Sequence, residues 1–318
     1  MDNNEFPGKG KHVTILGVPL GYGAAKMGSE LGVDAMRMSR IRDKQLHEHL
    51  ADLGYTVSDA GDADIIKPER PADPEDKTKY LKEITASFAN VSTALKAILA
   101  TGSIPIILGG DHSINSGTFS AVASYFREQG EEIGLVWFDA HADINTPETT
   151  MSGNIHGMPM ATILGRGAPE LVNLEGYSPK IKPEYLAHIG GRDFDPAERR
   201  AIHELGLRDN FFTMSDIDRR GMLACVTDAI AIASKAPGGY AVTFDVDVLD
   251  PRFAPGSGTL VRGGITYREA HLGLEAVAEH GGMRSFEIVE VNPLLDRSNI
   301  TVSLACELIL SAFGKTIL

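Results

Sequence analysis

Six residues in this sequence place acids and imidazoles at short spacing: His112, Asp139, His141, Asp143, Asp245 and Asp247. Asp139, His141 and Asp143 fall at i, i+2 and i+4, and Asp245 and Asp247 repeat the two-residue step. Extended residues at that spacing point to one side, so two neighbouring strands would bring four carboxylates together. Like charges at that density do not all stay ionised unless they capture protons or cations, and a pair of divalent cations uses every group. Four carboxylates with two imidazoles form a hard, oxygen-rich set, which suits manganese better than a thiolate-seeking metal. Two metals held by shared carboxylates bridge a water and bring its pKa near neutrality. The reaction class that follows is hydrolysis. The competing explanation is a set of unrelated caps and turns, because Asp is common where strands end. Against it, each of three clusters directly follows an apolar run.

Those runs define the elements that must position the chemistry. Short β-branched stretches at 12–17, 54–58, 103–108, 134–138, 186–189, 211–214, 240–244 and 284–289 alternate with helical patterns at 79–100, 116–129, 196–205, 219–235, 267–280 and 298–313. The alternation predicts an α/β fold, a parallel sheet covered by helices on both faces, with ligands beyond the carboxyl ends of the strands. In the last helix Val302, Ala305, Leu308, Ile309 and Ala312 recur at core spacing. One domain spanning 1–318 is the expectation for this length. Residues 62–77, with three prolines and many charges, read as an exposed excursion. Gly17, Gly21 and Gly23 match neither the dinucleotide fingerprint nor the P-loop. Cys225 and Cys306 sit far apart in apolar stretches, which excludes a disulfide framework and gives them buried structural roles. The net charge of -13 argues against nucleic acid and anionic membrane as partners. A polar N-terminus and the lack of a long apolar run predict a cytoplasmic protein.

Three segments carry a family resemblance: Gly109-Gly110-Asp111-His112-Ser113, Asp139-Ala140-His141-Ala142-Asp143, and Phe244-Asp245-Val246-Asp247-Val248-Leu249-Asp250-Pro251. They resemble the metal-binding signatures of the ureohydrolase superfamily, and within it the arginases, over nearly the whole chain. The resemblance implies a three-layer α/β/α sandwich with an eight-stranded parallel sheet, two Mn2+ ions and a trimeric or hexameric homo-oligomer. It also implies hydrolysis of L-arginine to L-ornithine and urea, through attack on the guanidinium carbon by a metal-bridging hydroxide that Asp143 orients.

The same resemblance assigns further residues. Asn145, Thr150 and Ser152 match the readers of the substrate α-carboxylate, and neutral donors suit that task in acidic surroundings. Asp195 matches the α-ammonium ligand and Glu198 its support, although Asp195-Pro196-Ala197-Glu198 also makes a good helix start. His156 matches the proton shuttle, a task imidazole suits near physiological pH. Glu290 matches the guanidinium partner and Thr259 a threonine near it. His47, His49 and His203 have no comparable setting and read as surface residues. Lys26, Val33 and Leu260 depart from the usual arginase pattern. These departures leave open a ureohydrolase acting on guanidine, guanidinobutyrate or agmatine. A silent scaffold would lack a ligand or His156, and this chain lacks neither.

Overall fold

The computed structural model describes residues 7–317; the polar start at residues 1–6 lies outside them. Eight strands form one sheet: β1 His12–Val18, β2 Thr56–Asp62, β3 Ile104–Gly109, β4 Gly134–Phe138, β5 Leu186–Ile189, β6 Phe211–Phe212, β7 Tyr240–Asp245 and β8 Met283–Val289. Their order is β2-β1-β3-β8-β7-β4-β5-β6, and every neighbouring pair is parallel.

The two-residue period of the strands sorts side chains into two cores. Val136, Phe138, Val242, Phe244, Phe286 and Ile288 pack with the helices Met222–Ala233, Tyr267–His280 and Ile300–Ala312. Leu135, Trp137 and Ala241, with Leu16 and Ile107 further along the sheet, meet Leu81–Ala100 and Asn115–Glu128 on the other face. The result is the expected three-layer sandwich. Each fully buried Leu, Val or Phe contributes roughly 1.5–3 kcal/mol relative to exposure, which anchors the central strands and leaves their ends to carry polar groups.

Three of the boundaries that differ from the sequence expectation have a clear local reason. The helix expected over 219–235 is two, Met214–Arg220 and Met222–Ala233, because Gly221 at φ 81° turns the chain between them. β6 stops at Phe212 because Thr213 caps the next helix, reciprocally with Asp216. β2 runs on to Asp62 as an exposed edge strand. Cys225 and Cys306 are free and buried, and Val33 is core. His47 and His203 are exposed, whereas His49 is half-buried with its ring bonded to the Ile41 carbonyl. Among the described residues no helix is long and apolar enough to cross a membrane.

Candidate metal centre

β4 and β7 are neighbours, so the loops that leave their carboxyl ends meet, but not by the extended alternation expected. Asp139 lies just past β4 and accepts the His141 backbone N–H at 2.7 Å; Asp245 ends β7 and accepts the Asp247 N–H at 2.8 Å. Each pair is therefore a tight side-chain-to-backbone turn. Asp143 has φ 50°, a left-handed backbone that is uncommon outside glycine. Together these turns aim the side chains at one point.

Two imidazole–carboxylate groups result, and Asp139 belongs to both. His112 Nδ1 lies 3.0 Å from Asp139 Oδ2, 3.2 Å from Asp143 Oδ2 and 3.3 Å from Asp245 Oδ2. His141 Nδ1 lies 3.1 Å from Asp247 Oδ2 and 3.4 Å from Asp139 Oδ1. Trp137 Nε1 donates to Asp139 Oδ2 and Thr259 Oγ1 to Asp247 Oδ2, both at 2.9 Å.

The orientation of His112 tests whether this set fits a cation. Its Nε2 is 3.0 Å from Thr243 Oγ1, whose own proton goes to Glu287 Oε1 at 2.9 Å. Glu287 also accepts from Asn115 Nδ2 and Thr118 Oγ1. Thr243 must therefore accept from Nε2–H, which leaves Nδ1, buried and without a hydrogen-bond partner of good geometry, facing three carboxylates. A carboxylate that orients the far side of a histidine is the usual support of a metal-binding imidazole. Burial disfavours charge on His112, yet the carboxylates of Asp139 and Asp245 beside Nδ1 hold it well above its ordinary value. Burial and the Asp139 charge push Asp143 well above the carboxylate range, and burial with Asp247 does the same to Asp245. Protein groups alone leave the cluster gathering protons, and divalent cations satisfy the same charge.

Beside the cluster is a cavity of about 230 Å³ lined by His141, Asp143, Asn145, His156, Gly157, Asp193, Asp195, Glu198, Asp245 and Thr259. Asp195 caps the helix that follows it and also lines the cavity. Its Oδ1 accepts the Ala197 and Glu198 N–H groups, while its Oδ2 accepts from Asn145 Nδ2 at 2.8 Å. Burial pushes the Glu198 carboxyl up to about 7. Glu290, at φ 63°, accepts the His112 N–H at 3.0 Å and meets His156 Nδ1 at 3.2 Å. Burial opposes charge on His156, but Glu290 raises it to about 9. Of the expected substrate residues, Glu290, Thr150 and Ser152 are not among those lining the cavity: Glu290 is buried, Thr150 is buried with its hydroxyl accepting the Gly153 N–H, and Ser152 is exposed. Lys26 and Leu260 line a different cavity, where Lys26 Nζ donates to the Gly258 carbonyl.

Sequence reasoning left Asp193, Thr243, Glu287 and Arg192 without roles. A signal existed for two of them. Thr243 and Glu287 interrupt apolar strands and pair side by side across β7 and β8, and polar groups buried there demand partners.

The family model of the Arginase family matches residues 11–314. The chain is 42% identical over 309 residues to the arginase of Bacillus caldovelox, covering 97% of this chain and 100% of that one. It superposes on the solved native structure of that species' arginase with a TM-score of 0.88 at 41% identity, again covering 97% and 100%. The Entamoeba histolytica arginase solved in complex with L-ornithine aligns with a TM-score of 0.85 at 29% identity, covering 96% and 99%.

Proposed function

The chain belongs to the arginase family, and from that premise we propose that it hydrolyses L-arginine to L-ornithine and urea in the cavity beside Asp143. The observation that carries this is the buried His112 Nδ1 facing Asp139, Asp143 and Asp245, with a second imidazole group sharing Asp139. His112, Asp139, Asp143, His141, Asp245 and Asp247 would hold two divalent cations, manganese by the hardness of the donors. When bound, such a pair supplies hydroxide near neutral pH.

The protein's own groups do the rest. Glu290 holds the guanidinium, a planar fork that two carboxylate oxygens can face. Its backbone N–H is fixed to the Gly110 carbonyl at 2.8 Å. Asp143 takes a proton at a carboxylate oxygen as the water oxygen adds to the guanidinium carbon. It returns that proton to the departing amine as the C–N bond breaks. His156, with 18% of its side chain exposed, exchanges protons with solvent. Asp195, supported by Glu198, takes the α-ammonium, and Asn145 takes the α-carboxylate from the cavity wall, with Thr150 and Ser152 completing that set from outside the present lining. The 2.8 Å bond between Asn145 and Asp195 joins the two readers.

The whole chain forms one catalytic domain in this reading. Assembly into a trimer or hexamer belongs to it as well, supported by exposed Met27, Leu31, Leu260, Leu294 and Leu295 near the contacts of Lys26 with Gly258 and Asn292 with Met27. A cytoplasmic setting is supported by the two free cysteines. Urea and ornithine release from arginine by the manganese-loaded protein, set against agmatine, guanidinobutyrate and guanidine, tests the reading. A higher kcat/KM for any of the other three would overturn it.

A further inference from the structure

Arg192 follows β5 and touches none of the groups assigned to substrate, yet its guanidinium reaches five backbone carbonyls. Nη1 donates to Gly190 at 3.1 Å and Val248 at 3.0 Å; Nη2 donates to Asp247 at 2.7 Å, Val261 at 2.8 Å and Leu249 at 3.2 Å. Its own N–H is bonded to the Ala140 carbonyl at 2.9 Å, between Asp139 and His141. One residue thus ties together the loops after β4, β5 and β7 and the segment that carries Thr259.

Asp247 is held from both ends by this arrangement. Arg192 takes its carbonyl directly. The carboxylate is fixed by Thr259, two residues before the Val261 carbonyl that Arg192 also holds. The packing leaves no slack: a Cβ on Gly264 would lie 2.6 Å from Arg192 Nη2 and 2.5 Å from the Val248 carbonyl. On the other side, Asp193 and Asp195 line the cavity. We infer that Arg192 is the positioning residue for the Asp139–His141–Asp247 half of the cluster, and that it couples this half to the substrate end of the cavity. A lysine cannot replace it, because three donors on one nitrogen cannot meet carbonyls arranged around a planar fork.

The inference rests on the two-metal reading, and metal titration separates the two. Wild-type protein should bind two manganese ions by calorimetry and give a spin-coupled electron paramagnetic resonance signal. In Arg192→Lys one ion should weaken by about 10- to 100-fold while the other stays within roughly threefold, so limiting manganese gives a mononuclear six-line spectrum. Gly264→Ala, which presses on the same guanidinium, should show the same asymmetry. At saturating manganese kcat should recover while KM for arginine stays raised, since Asp193 and Asp195 hang from the same residue. A residue that only stabilises the fold would lower Tm without this asymmetry. Equal weakening of both ions, no weakening at 25 °C, or unfolding of both variants at that temperature overturns the inference. A wild type that binds fewer than two ions overturns the two-metal reading and the inference with it.

Discussion

At the scale of single residues, the site depends on side chains that never meet substrate. Glu287 fixes Thr243, and Thr243 fixes the far nitrogen of His112. Glu287→Gln keeps the shape but offers an amide that can donate where Thr243 must, so the chain of donors loses its direction. Manganese affinity should fall by about 10- to 100-fold with little change in Tm; calorimetric titration of the variant checks this, and wild-type affinity would remove Glu287 from the metal's support. The His156–Glu290 pair makes a second prediction. The folded pKa of about 9 lies above the ordinary histidine value near 6.5. The folded state therefore binds the extra proton between these values. The stabilisation is complete below about pH 6.5 and is lost as pH rises through about 9. In metal-stripped protein, the stability difference between wild type and His156→Asn should shrink by on the order of 3 kcal/mol across that window, as urea denaturation at several pH values would show.

At the scale of elements, the start of the helix Pro196–Glu204 shows how one residue serves fold and site. Asp195 Oδ1 caps the helix while Oδ2 reaches Asn145. Asn is as good a cap as Asp, so Asp195→Asn should keep Tm within a degree or two but raise KM for arginine. Asp195→Ala should do the same to KM and also cost about 1 kcal/mol of stability. Equal KM values for wild type and Asp195→Asn would leave only the capping role. The elements themselves were legible because a buried strand has no way to hide its apolar run, and the acid–imidazole cluster because its residues sit directly after such runs. The turns were not legible: Asp139 and Asp245 bond to N–H groups two residues on, and i, i+2 spacing reads the same for a turn as for a strand. Nor was the lining role of Asp193, whose side chain is exposed at the rim. Arg192 escaped because carbonyl acceptors leave no trace in residue types.

At the scale of the whole molecule, the acidic cluster couples stability to both metal and pH. Protein groups alone push Asp143 and Asp245 well above the carboxylate range, burial being the main cause. Groups with raised folded pKa values stabilise fully below their unfolded values, near pH 4, and that contribution fades as pH climbs through the folded values. Stripped protein should therefore lose stability as pH rises from about 4 through those raised values. Manganese acts in the opposite sense, because each ion replaces protons and binds more tightly as protons become scarce. At a free concentration of 100 Kd, one ion adds about 2.7 kcal/mol, and two independent ions add about twice that. The Tm gap between manganese-loaded and chelator-treated protein should therefore widen from pH 5.5 to pH 8. Differential scanning calorimetry across that range checks it. A gap that stays constant or narrows would mean that cations do not take over the charge that protons otherwise carry in the cluster, and the four carboxylates would need another explanation.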